Sequence, residues 1–387
     1  MIKNAYKSNT KQETGNCWHY CLSPLRRWDV EEILALIGQE KYFLLHAPRQ
    51  TGKTTCLLAL ADQLNQDGHY RAVYANLEPA QAARENVAMG MAAAVEQIAR
   101  GARDQINDDR STELAAAILA TSSPTTPLEE FLTRWCAQSA QPTVLLLDEV
   151  DALIGDTLIA LLRQLRAGYP KRPARFPQTV ILCGVRDLRD YRIHASAEQS
   201  VLTGGSAFNI KAESLRLGDF SEADVRALLQ QHTDETGQTF TPEALAAVWT
   251  LTPGQPWLVN ALAYETCFRM PEGRDRSRPI TGESIDQARE NLILRRVTHL
   301  DQLADKLRED RVRRVIEAML AGMALGEVPE DDPQYSGGFG VIAPGGQRRL
   351  GGRQSYLPGS LAAALAGGPQ FQKLPPASTV DRSHLAV

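Results

Sequence analysis

The order of apolar and polar positions divides residues 29–219 into alternating strands and helices. Apolar runs predict five strands, at 41–46, 70–77, 143–147, 179–185 and 213–217. The residues between the second and third strands carry a helical, alanine-rich pattern, with a Ser/Thr/Pro break at 121–127. Unbroken apolar runs such as 144–147 are typical of strands covered on both faces of a parallel sheet. Strands alternating with helices predict an α/β domain with right-handed βαβ crossovers.

Helix-start signals predict where several helices begin. Asp29 followed by Glu32 resembles a capping box, and the helix that it starts ends at Gly38. From Phe220 onward the pattern is helical throughout. Ser221 is a predicted N-cap, and Thr241 is a predicted N-cap with proline at the first helical position. A third helical start follows the turn at 252–256. These signals predict a small helical domain over 220–295, after an irregular lead-in at 1–28 and a core at 29–219.

The C-terminal part of the chain changes in character. Residues 296–321 have the pattern of one long charged helix within a linker at 296–335, whereas 336–387 hold ten of the 28 glycines and a single acidic residue, Asp381. Such a composition predicts a disordered or loosely structured tail. We hypothesise a reading-frame change near Tyr335, and the alternative is a natural Gly/Pro-rich tail.

Net charge, apolar runs and cysteine spacing argue against nucleic-acid, membrane and cysteine-metal binding. The 387 residues carry a net charge of −4, which provides no broad field to attract nucleic acid. No apolar run approaches the roughly 18 residues that cross a bilayer, and residues 1–7 lack the apolar core of a secretory signal. We therefore expect a cytoplasmic protein without a membrane partner. Of the six cysteines, Cys17 and Cys21 form one close pair, but no second Cys/His pair completes a metal site. We therefore expect no cysteine-bound metal and no disulfides, with Cys56, Cys136 and Cys183 as buried thiols.

The stretch from Ala47 to Thr55, APRQTGKTT, lies between the predicted strand at 41–46 and a helical pattern. Strand, loop and helix in this order are the context of a phosphate-binding P-loop. The helix N-terminus favours an anion, Lys53 can reach the β- and γ-phosphates, and the Thr54 hydroxyl can join a Mg²⁺ shell. Ala47 stands at a position where glycine is usual, and alanine suits this position if its φ angle is negative. The sequence therefore predicts that the chain binds a nucleoside triphosphate.

The strand at 143–147 runs directly into Asp148 and Glu149. An aspartate at the carboxyl end of a strand beside a P-loop holds Mg²⁺ in P-loop enzymes, and the next glutamate can polarise an attacking water as a general base. The alternative is a solvated acidic turn. We predict Thr54 and Asp148 as metal ligands, with Glu149 and Lys53 as catalytic groups.

Several other charged residues have two interpretations each. Asp151 extends the acidic cluster, although interaction with a helix N-terminus explains it without chemistry. Arg186 follows the strand at 179–185 and is either a sensor of the γ-phosphate or a surface ion pair with Asp187 or Asp190. The candidates for an arginine finger into a neighbouring subunit are Arg172, Arg175, Arg189 and Arg192.

Four segments together resemble the prokaryotic AAA-like proteins, akin to the archaeal-type ATPases of the AAA+/STAND superfamily. They are LLHAPRQTGKTT, VLLLDEVDAL, FNIKAESLRLGDFS and LTPGQPWLVNALA, and the resemblance covers about residues 18–335. It implies a three-layer α/β/α fold whose five-stranded parallel sheet has the order 5-1-4-3-2, followed by a helical lid. It also implies ATP and Mg²⁺ as cofactors. The implied P-loop contacts are Ala47, Pro48, Arg49, Gln50, Thr51, Gly52, Lys53, Thr54 and Thr55.

The resemblance has further implications for the helical part. Gly254-Gln255-Pro256 matches the GxP motif of the lid, which implies that Gln255 and Pro256 lie near the nucleotide; an ordinary Gly-Pro helix start is the alternative. Residues 331–335 resemble the beginning of a winged helix. Some relatives continue into a PD-(D/E)XK nuclease-like domain, and we expect this usual C-terminal region to be missing here.

Four functions follow from these features. The first is Mg²⁺-dependent hydrolysis of ATP coupled to lid movement, in a chain that could form a homo-oligomer. The second is a STAND-type switch that binds ATP tightly and hydrolyses it slowly. A small-molecule phosphotransferase is third, although the Asp-Glu pair favours water as the acceptor. The fourth is nucleic-acid binding through Arg295, Arg296 and the arginines at 308–314, where interleaved acidic residues favour an exposed, salt-bridged helix instead.

Overall fold

The structure is a computed structural model that describes residues 20–185 and 213–295, together with the backbone of two short strands. The chain divides into two compact units. The first contains residues up to His232 and also Gln255–Trp257, and the second contains Thr233–Gly254 and the chain from Leu258. In the described residues, no helix is long and apolar enough to cross a membrane.

The first unit is built on five parallel strands in the order β2-β3-β4-β1-β5. The strands are β1 (Phe43–His46), β2 (Arg71–Asn76), β3 (Thr143–Asp148), β4 (Thr179–Gly184) and β5 (Glu213–Arg216). This is the order 5-1-4-3-2 that the family resemblance implied, so that prediction is confirmed. The strand that carries Asp148 is separated from the P-loop strand by β4, as expected.

Helices cover the sheet on both faces. They are α1 (Val30–Gly38), α2 (Lys53–Asp67), α3 (Val87–Ile106), α4 (Arg110–Thr121), α5 (Pro127–Cys136) and α6 (Gly155–Gly168). Side chains of β3 alternate between the two layers: Val144 and Leu146 pack with α1 and α2, whereas Leu145 and Leu147 pack with α3, α5 and α6. All six residues of β3 are buried, which is why the four residues between its polar ends are all apolar.

Strand β2 lies at the edge of the sheet, and two side chains cover its free edge. The Asn65 amide on α2 accepts from Ala72 N at 2.8 Å and donates to Ala72 O at 2.9 Å. The Gln105 amide on α3 makes the same pair of bonds with Tyr74, at 2.9 and 2.7 Å. An open edge strand exposes unpaired N–H and C=O groups to other chains. The two side-chain amides therefore make the backbone hydrogen bonds that a sixth strand would make.

The helical segments that follow have the predicted starts. They are α7 (Glu222–Thr236), α8 (Pro242–Leu251), α9 (Pro256–Tyr264), α10 (Pro271–Arg274) and α11 (Gly282–Leu294), with a π-helical turn at Glu265–Arg269. Ser221 Oγ accepts from Asp224 N at 3.1 Å, and the Thr241 side chain accepts from Ala244 N at 3.2 Å. Both predicted N-caps are confirmed, as is Asp29, which accepts from Glu32 N at 3.0 Å.

The second unit contains a buried carboxylate that forms an ion pair with an exposed arginine. Glu265 is 1% exposed, and its carboxylate accepts hydrogen bonds from Arg295 at 2.7 Å and from Asn291 at 3.2 Å. The buried Gln238 amide donates to the carbonyl oxygens of Gly273 and Arg278, at 3.1 and 3.0 Å. These contacts connect α11 with the π-helical turn and α10 with the loop that follows it.

Some predictions fall on parts of the chain outside the described residues. They include the segment at 186–212, the long helix at 296–321 and the winged-helix start at 331–335. In the tail at 336–387, only strands β6 (Arg348–Leu350) and β7 (Arg353–Ser355) are described, and they pair antiparallel. The frame-change hypothesis therefore stays a prediction.

Candidate functional site

The loop between β1 and α2 has the form of a phosphate cradle. Thr51 Oγ1 donates to Pro48 O at 2.8 Å, which closes the loop on itself. Gly52 has φ 86°, a conformation that glycine adopts without a steric penalty, and Lys53 is the first residue of α2. Ala47 is buried and has a negative φ, as expected for alanine at this position. The loop therefore leads into a helix N-terminus, where free N–H groups favour an anion.

The Lys53 amine lies inside the loop. Its Nζ donates to Ala47 O at 3.0 Å and to Pro48 O at 3.1 Å, and the residue is only 5% exposed. These carbonyl oxygens hold the cation against the loop, where phosphate oxygens can take over as acceptors. The contact between Lys53 and the phosphates stays a prediction.

The predicted acidic residue lies directly against the P-loop helix. Asp148 ends β3 and is fully buried, and its Oδ2 accepts from Thr54 Oγ1 at 2.6 Å. The same oxygen accepts from the Tyr74 hydroxyl at 3.1 Å, and Oδ1 accepts from Glu149 N at 2.9 Å. Thr54 and Asp148 are 94 residues apart in sequence, so the fold alone brings them together.

Glu149 lies at the tip of β3 in a left-handed conformation, with φ 53° and ψ 43°. Burial raises the pKa of its carboxyl group, and the neighbouring charge of Asp151 raises it further. Asp151 Oδ1 accepts from Val185 N at 3.2 Å, so Asp151 also holds the end of β4 close to the end of β3. A non-glycine residue with positive φ is uncommon and recurs at functional sites.

The oxygen donors at this site suit Mg²⁺. Thr54 and Asp148 present a hydroxyl and a carboxylate within 2.6 Å of each other. In the described part of the chain, no group of three or more His, Cys, Asp or Glu side chains could hold a metal. Mg²⁺ is commonly bound by one or two protein ligands together with water and substrate phosphates. The site therefore fits a Mg²⁺ ion that arrives with a nucleotide.

The remaining predicted site residues lie partly within and partly outside the described residues. Arg186 lies outside the described residues, as do Arg189 and Arg192. Gln255 and Pro256 belong, with Trp257, to the first unit, although the chain before and after this short segment belongs to the second. Arg49 and Gln50 are exposed at the loop, whereas Pro48 and Thr51 are buried.

Arg172 contacts residues of its own chain. Its guanidinium lies 3.3 Å from the centre of the Tyr169 ring and donates to the carbonyl oxygens of Tyr169, at 2.9 Å, and Gln178, at 3.2 Å. It also donates to the carbonyl oxygen of Glu40. These contacts argue against Arg172 as an arginine finger.

Sequence reasoning missed two residues of this site. Tyr74 lies on β2, where the pairing of Asn76 with Asp148 brings its hydroxyl to the Asp148 carboxylate. The implied adjacency of strands 2 and 3 was a signal that could have identified it. Arg27 contacts the Thr51 carbonyl from the N-terminal segment, and no sequence pattern indicates this contact.

Comparisons with known proteins agree with this geometry. Residues 37–191 match the family described as AAA domain. The Walker-type ATPase PABY2304 of Pyrococcus abyssi has a similar structure, with a TM-score of 0.54 and 16% identity over 88% of this chain and 94% of that one. At this identity the likeness concerns the fold alone.

Two other solved structures match with lower TM-scores. They are Cdc6p from Pyrobaculum aerophilum and the Aeropyrum pernix ORC1 protein, which was solved in complex with DNA. Their TM-scores are 0.46 and 0.44, and each is 15% identical to this chain. The match with Cdc6p covers 81% of this chain and 79% of the Cdc6p chain. The match with ORC1 covers 86% of this chain and 80% of the ORC1 chain. No curated protein matches the sequence significantly. The matched residues contain both the P-loop and Asp148, so this part of the chain is similar to the AAA domain family.

Proposed function

We propose that this chain binds ATP with Mg²⁺ and hydrolyses it to ADP and phosphate. The observation that carries the proposal is the hydrogen bond of 2.6 Å between Thr54 Oγ1 and Asp148 Oδ2. It brings the two halves of a P-loop active site together, because one residue follows the phosphate-binding lysine and the other ends the acidic strand. A surface loop with a chance Gly-Lys-Thr sequence would not have a buried carboxylate as its partner.

Each side chain has a separate task in this proposal. Lys53 and the N–H groups at the start of α2 bind the phosphates. Thr54 and Asp148 would hold Mg²⁺, which when bound supplies positive charge that offsets the charge developing on the phosphate oxygens. Glu149 accepts a proton from the attacking water as the new bond to the γ-phosphorus forms and the bond to the ADP oxygen breaks. Its raised pKa makes it a better proton acceptor than an exposed glutamate.

We further propose that residues 220–295 act as a lid that responds to the nucleotide through Gln255 and Pro256, with Arg186 as a sensor of the γ-phosphate. The grouping of Gln255–Trp257 with the first unit supports the first part of this proposal. Replacing Gln255 with alanine should leave ATP affinity within a few fold and reduce turnover more strongly.

The test combines calorimetry and phosphate release. Wild-type protein should bind ATP·Mg and release phosphate, and Asp148→Asn should abolish Mg²⁺-dependent turnover because a neutral amide is a poor ligand for a hard cation. Asp156→Asn, an exposed carboxylate in the first turn of α6, is the matched control and should behave as wild type. Folded wild-type protein that takes up no ATP·Mg would refute the proposal.

A further inference from the structure

Arg27 lies behind the P-loop with its charged group in contact with two backbone carbonyls. It ends a short 3-10 turn at Pro24–Arg27, and its Nη1 donates to the carbonyl oxygen of Thr51. On the other side, Nη2 and Nε both donate to the carbonyl oxygen of Gly218, the second at 3.1 Å. The guanidinium also lies 5.2 Å from the centre of the Phe220 ring. One half-buried cation therefore joins the P-loop to the segment that follows β5.

The contact with Thr51 determines how one peptide group of the loop is oriented. The Thr51 carbonyl and the Gly52 N–H belong to the same planar trans peptide, so they point in opposite directions. A carbonyl held by Arg27 directs the Gly52 N–H away from Arg27 and toward the side on which the loop can meet a phosphate. Gly52 is free to adopt many conformations, which makes an external constraint valuable. A Cβ on Gly52 would lie 3.2 Å from Arg27 Nη1, so the guanidinium fills the space behind the loop.

The contact with Gly218 connects the same side chain to the beginning of α7. Leu217 N donates to His46 O at 3.0 Å and so extends the pairing of β5 with β1. Gly218 comes next, and Ser221 caps α7 three residues later. Any shift of the Thr51 carbonyl therefore acts through the guanidinium on the residues that lead into α7.

The residues before Arg27 run along α7 and strengthen this connection. The amide of Gln231 donates to Cys21 O and accepts from Cys21 N, both at 3.0 Å. The Tyr20 hydroxyl lies 3.2 Å from His232 Nδ1, and Cys56 Sγ on α2 donates to Pro24 O at 3.4 Å. The segment at 20–27 thus contacts both the P-loop helix and α7.

We propose that Arg27 is a positioning residue for the nucleotide. It orients the Thr51–Gly52 peptide for a phosphate, and it transmits the state of the P-loop to the start of α7. The inference rests on the proposed binding of ATP at the P-loop and deepens it by naming the residue that couples the loop to the helix.

Three variants test the role of Arg27. Arg27→Ala removes both contacts, and we expect ATP·Mg to bind at least about tenfold more weakly by calorimetry, which corresponds to about 1.4 kcal/mol. Arg27→Lys keeps the charge but cannot bridge two carbonyls in a planar fork, so we expect a loss of about three- to tenfold. Arg26→Ala is the control, because Arg26 is exposed and, within the described residues, its side chain is recorded in a 3.8 Å ion pair with Asp224. It should retain wild-type affinity.

Hydrogen exchange supplies a readout that a merely structural role would not change. In the wild type, ATP·Mg should slow the exchange of amides in α7, and Arg27→Ala should lose this response even at saturating nucleotide. Thermal melting without nucleotide shows whether each variant is folded. If Arg27→Ala fails to fold, ATP·Mg affinity and hydrogen exchange in α7 are measured on Arg27→Lys instead.

The outcomes separate this inference from the proposed function. If the wild type binds ATP·Mg and the folded Arg27 variants bind it equally well, with the α7 response intact, the role of Arg27 is refuted while the proposed function stands. If the folded wild type binds no ATP·Mg, the proposed function fails and the inference fails with it.

Discussion

The Tyr74 hydroxyl donates a hydrogen bond of 3.1 Å to Asp148 Oδ2, the oxygen that also accepts from Thr54. Tyr74 is on the edge strand β2 and Asp148 ends the neighbouring β3, in a register that pairs Asn76 with Asp148. Burial raises the pKa of the Tyr74 hydroxyl, and the Asp148 carboxylate raises it further, so this group stays protonated and remains a donor. Tyr74 therefore holds the carboxylate that faces the P-loop helix.

Replacing Tyr74 with phenylalanine should raise the Mg²⁺ concentration needed for half-maximal ATP turnover by roughly tenfold, because side chains that hydrogen-bond to a metal ligand contribute on this scale. The ring stays and only the hydroxyl is lost, so the fold should be preserved. Phosphate release measured over a Mg²⁺ titration tests this. Tyr70→Phe, just before the other end of β2, is the control. An unchanged Mg²⁺ requirement in Tyr74→Phe would contradict the assigned role.

Glu149→Gln should keep ATP binding and lose turnover by about 10²- to 10⁴-fold, the usual contribution of a general base. Glutamine has nearly the same shape but accepts no proton. Calorimetry for ATP·Mg and phosphate release on the same sample are the measurements. Glu78→Gln, an exposed glutamate after β2, should have wild-type turnover. Comparable hydrolysis by Glu149→Gln would refute the base assignment.

The raised pKa of Glu149 also predicts an effect on stability. A carboxyl group whose pKa is raised by burial and by Asp151 binds its proton more tightly in the folded chain. Its stabilising contribution is therefore full below the unfolded pKa and is lost as the pH rises through the folded pKa. Glutamine is always neutral, so Glu149→Gln should melt at a higher temperature than wild type at about pH 8, and the difference should shrink toward about pH 4. A variant that melts lower than wild type at the higher pH would count against this explanation.

Asn65→Ala should destabilise the first unit more than Gln105→Ala does. Each substitution leaves one N–H and one C=O group of β2 without a protein partner, but the Asn65 bonds are partly buried and those of Gln105 are exposed. Water can replace an exposed partner, whereas an unsatisfied buried group costs about 1–3 kcal/mol. The free energy of unfolding from urea titrations compares the two variants directly. A larger loss for Gln105→Ala would show that burial is not the deciding factor.

Thr241→Ala should lower the stability of the second unit by about 1 kcal/mol, the usual cost of losing an N-cap side chain. The Thr241 hydroxyl accepts from Ala244 N at 3.2 Å, and alanine leaves that N–H without its partner. Thermal or urea unfolding measures the change. Thr239→Ala is the matched control at an exposed position two residues earlier. Equal stability of Thr241→Ala and wild type would mean that solvent replaces the cap.

The P-loop, the five strands and the N-caps at Asp29, Ser221 and Thr241 could be predicted from the sequence. In each case the residues that define the feature lie within a few positions of one another, so their spacing carries the information. The sheet order required the family resemblance as well, because pairing between strands involves residues far apart in sequence.

Local pattern thus determined which residues form the loop between β1 and α2 and which acidic residues end a buried strand. The tertiary structure alone decided that Thr54 and Tyr74 converge on one oxygen of Asp148, that Asn65 and Gln105 cover the edge of β2, and that Arg27 joins Thr51 to Gly218. The physical reason is that each of these contacts depends on which elements are neighbours in the folded chain. Periodicity and spacing report which face of an element is buried, but they carry no information about the side chain that packs against it.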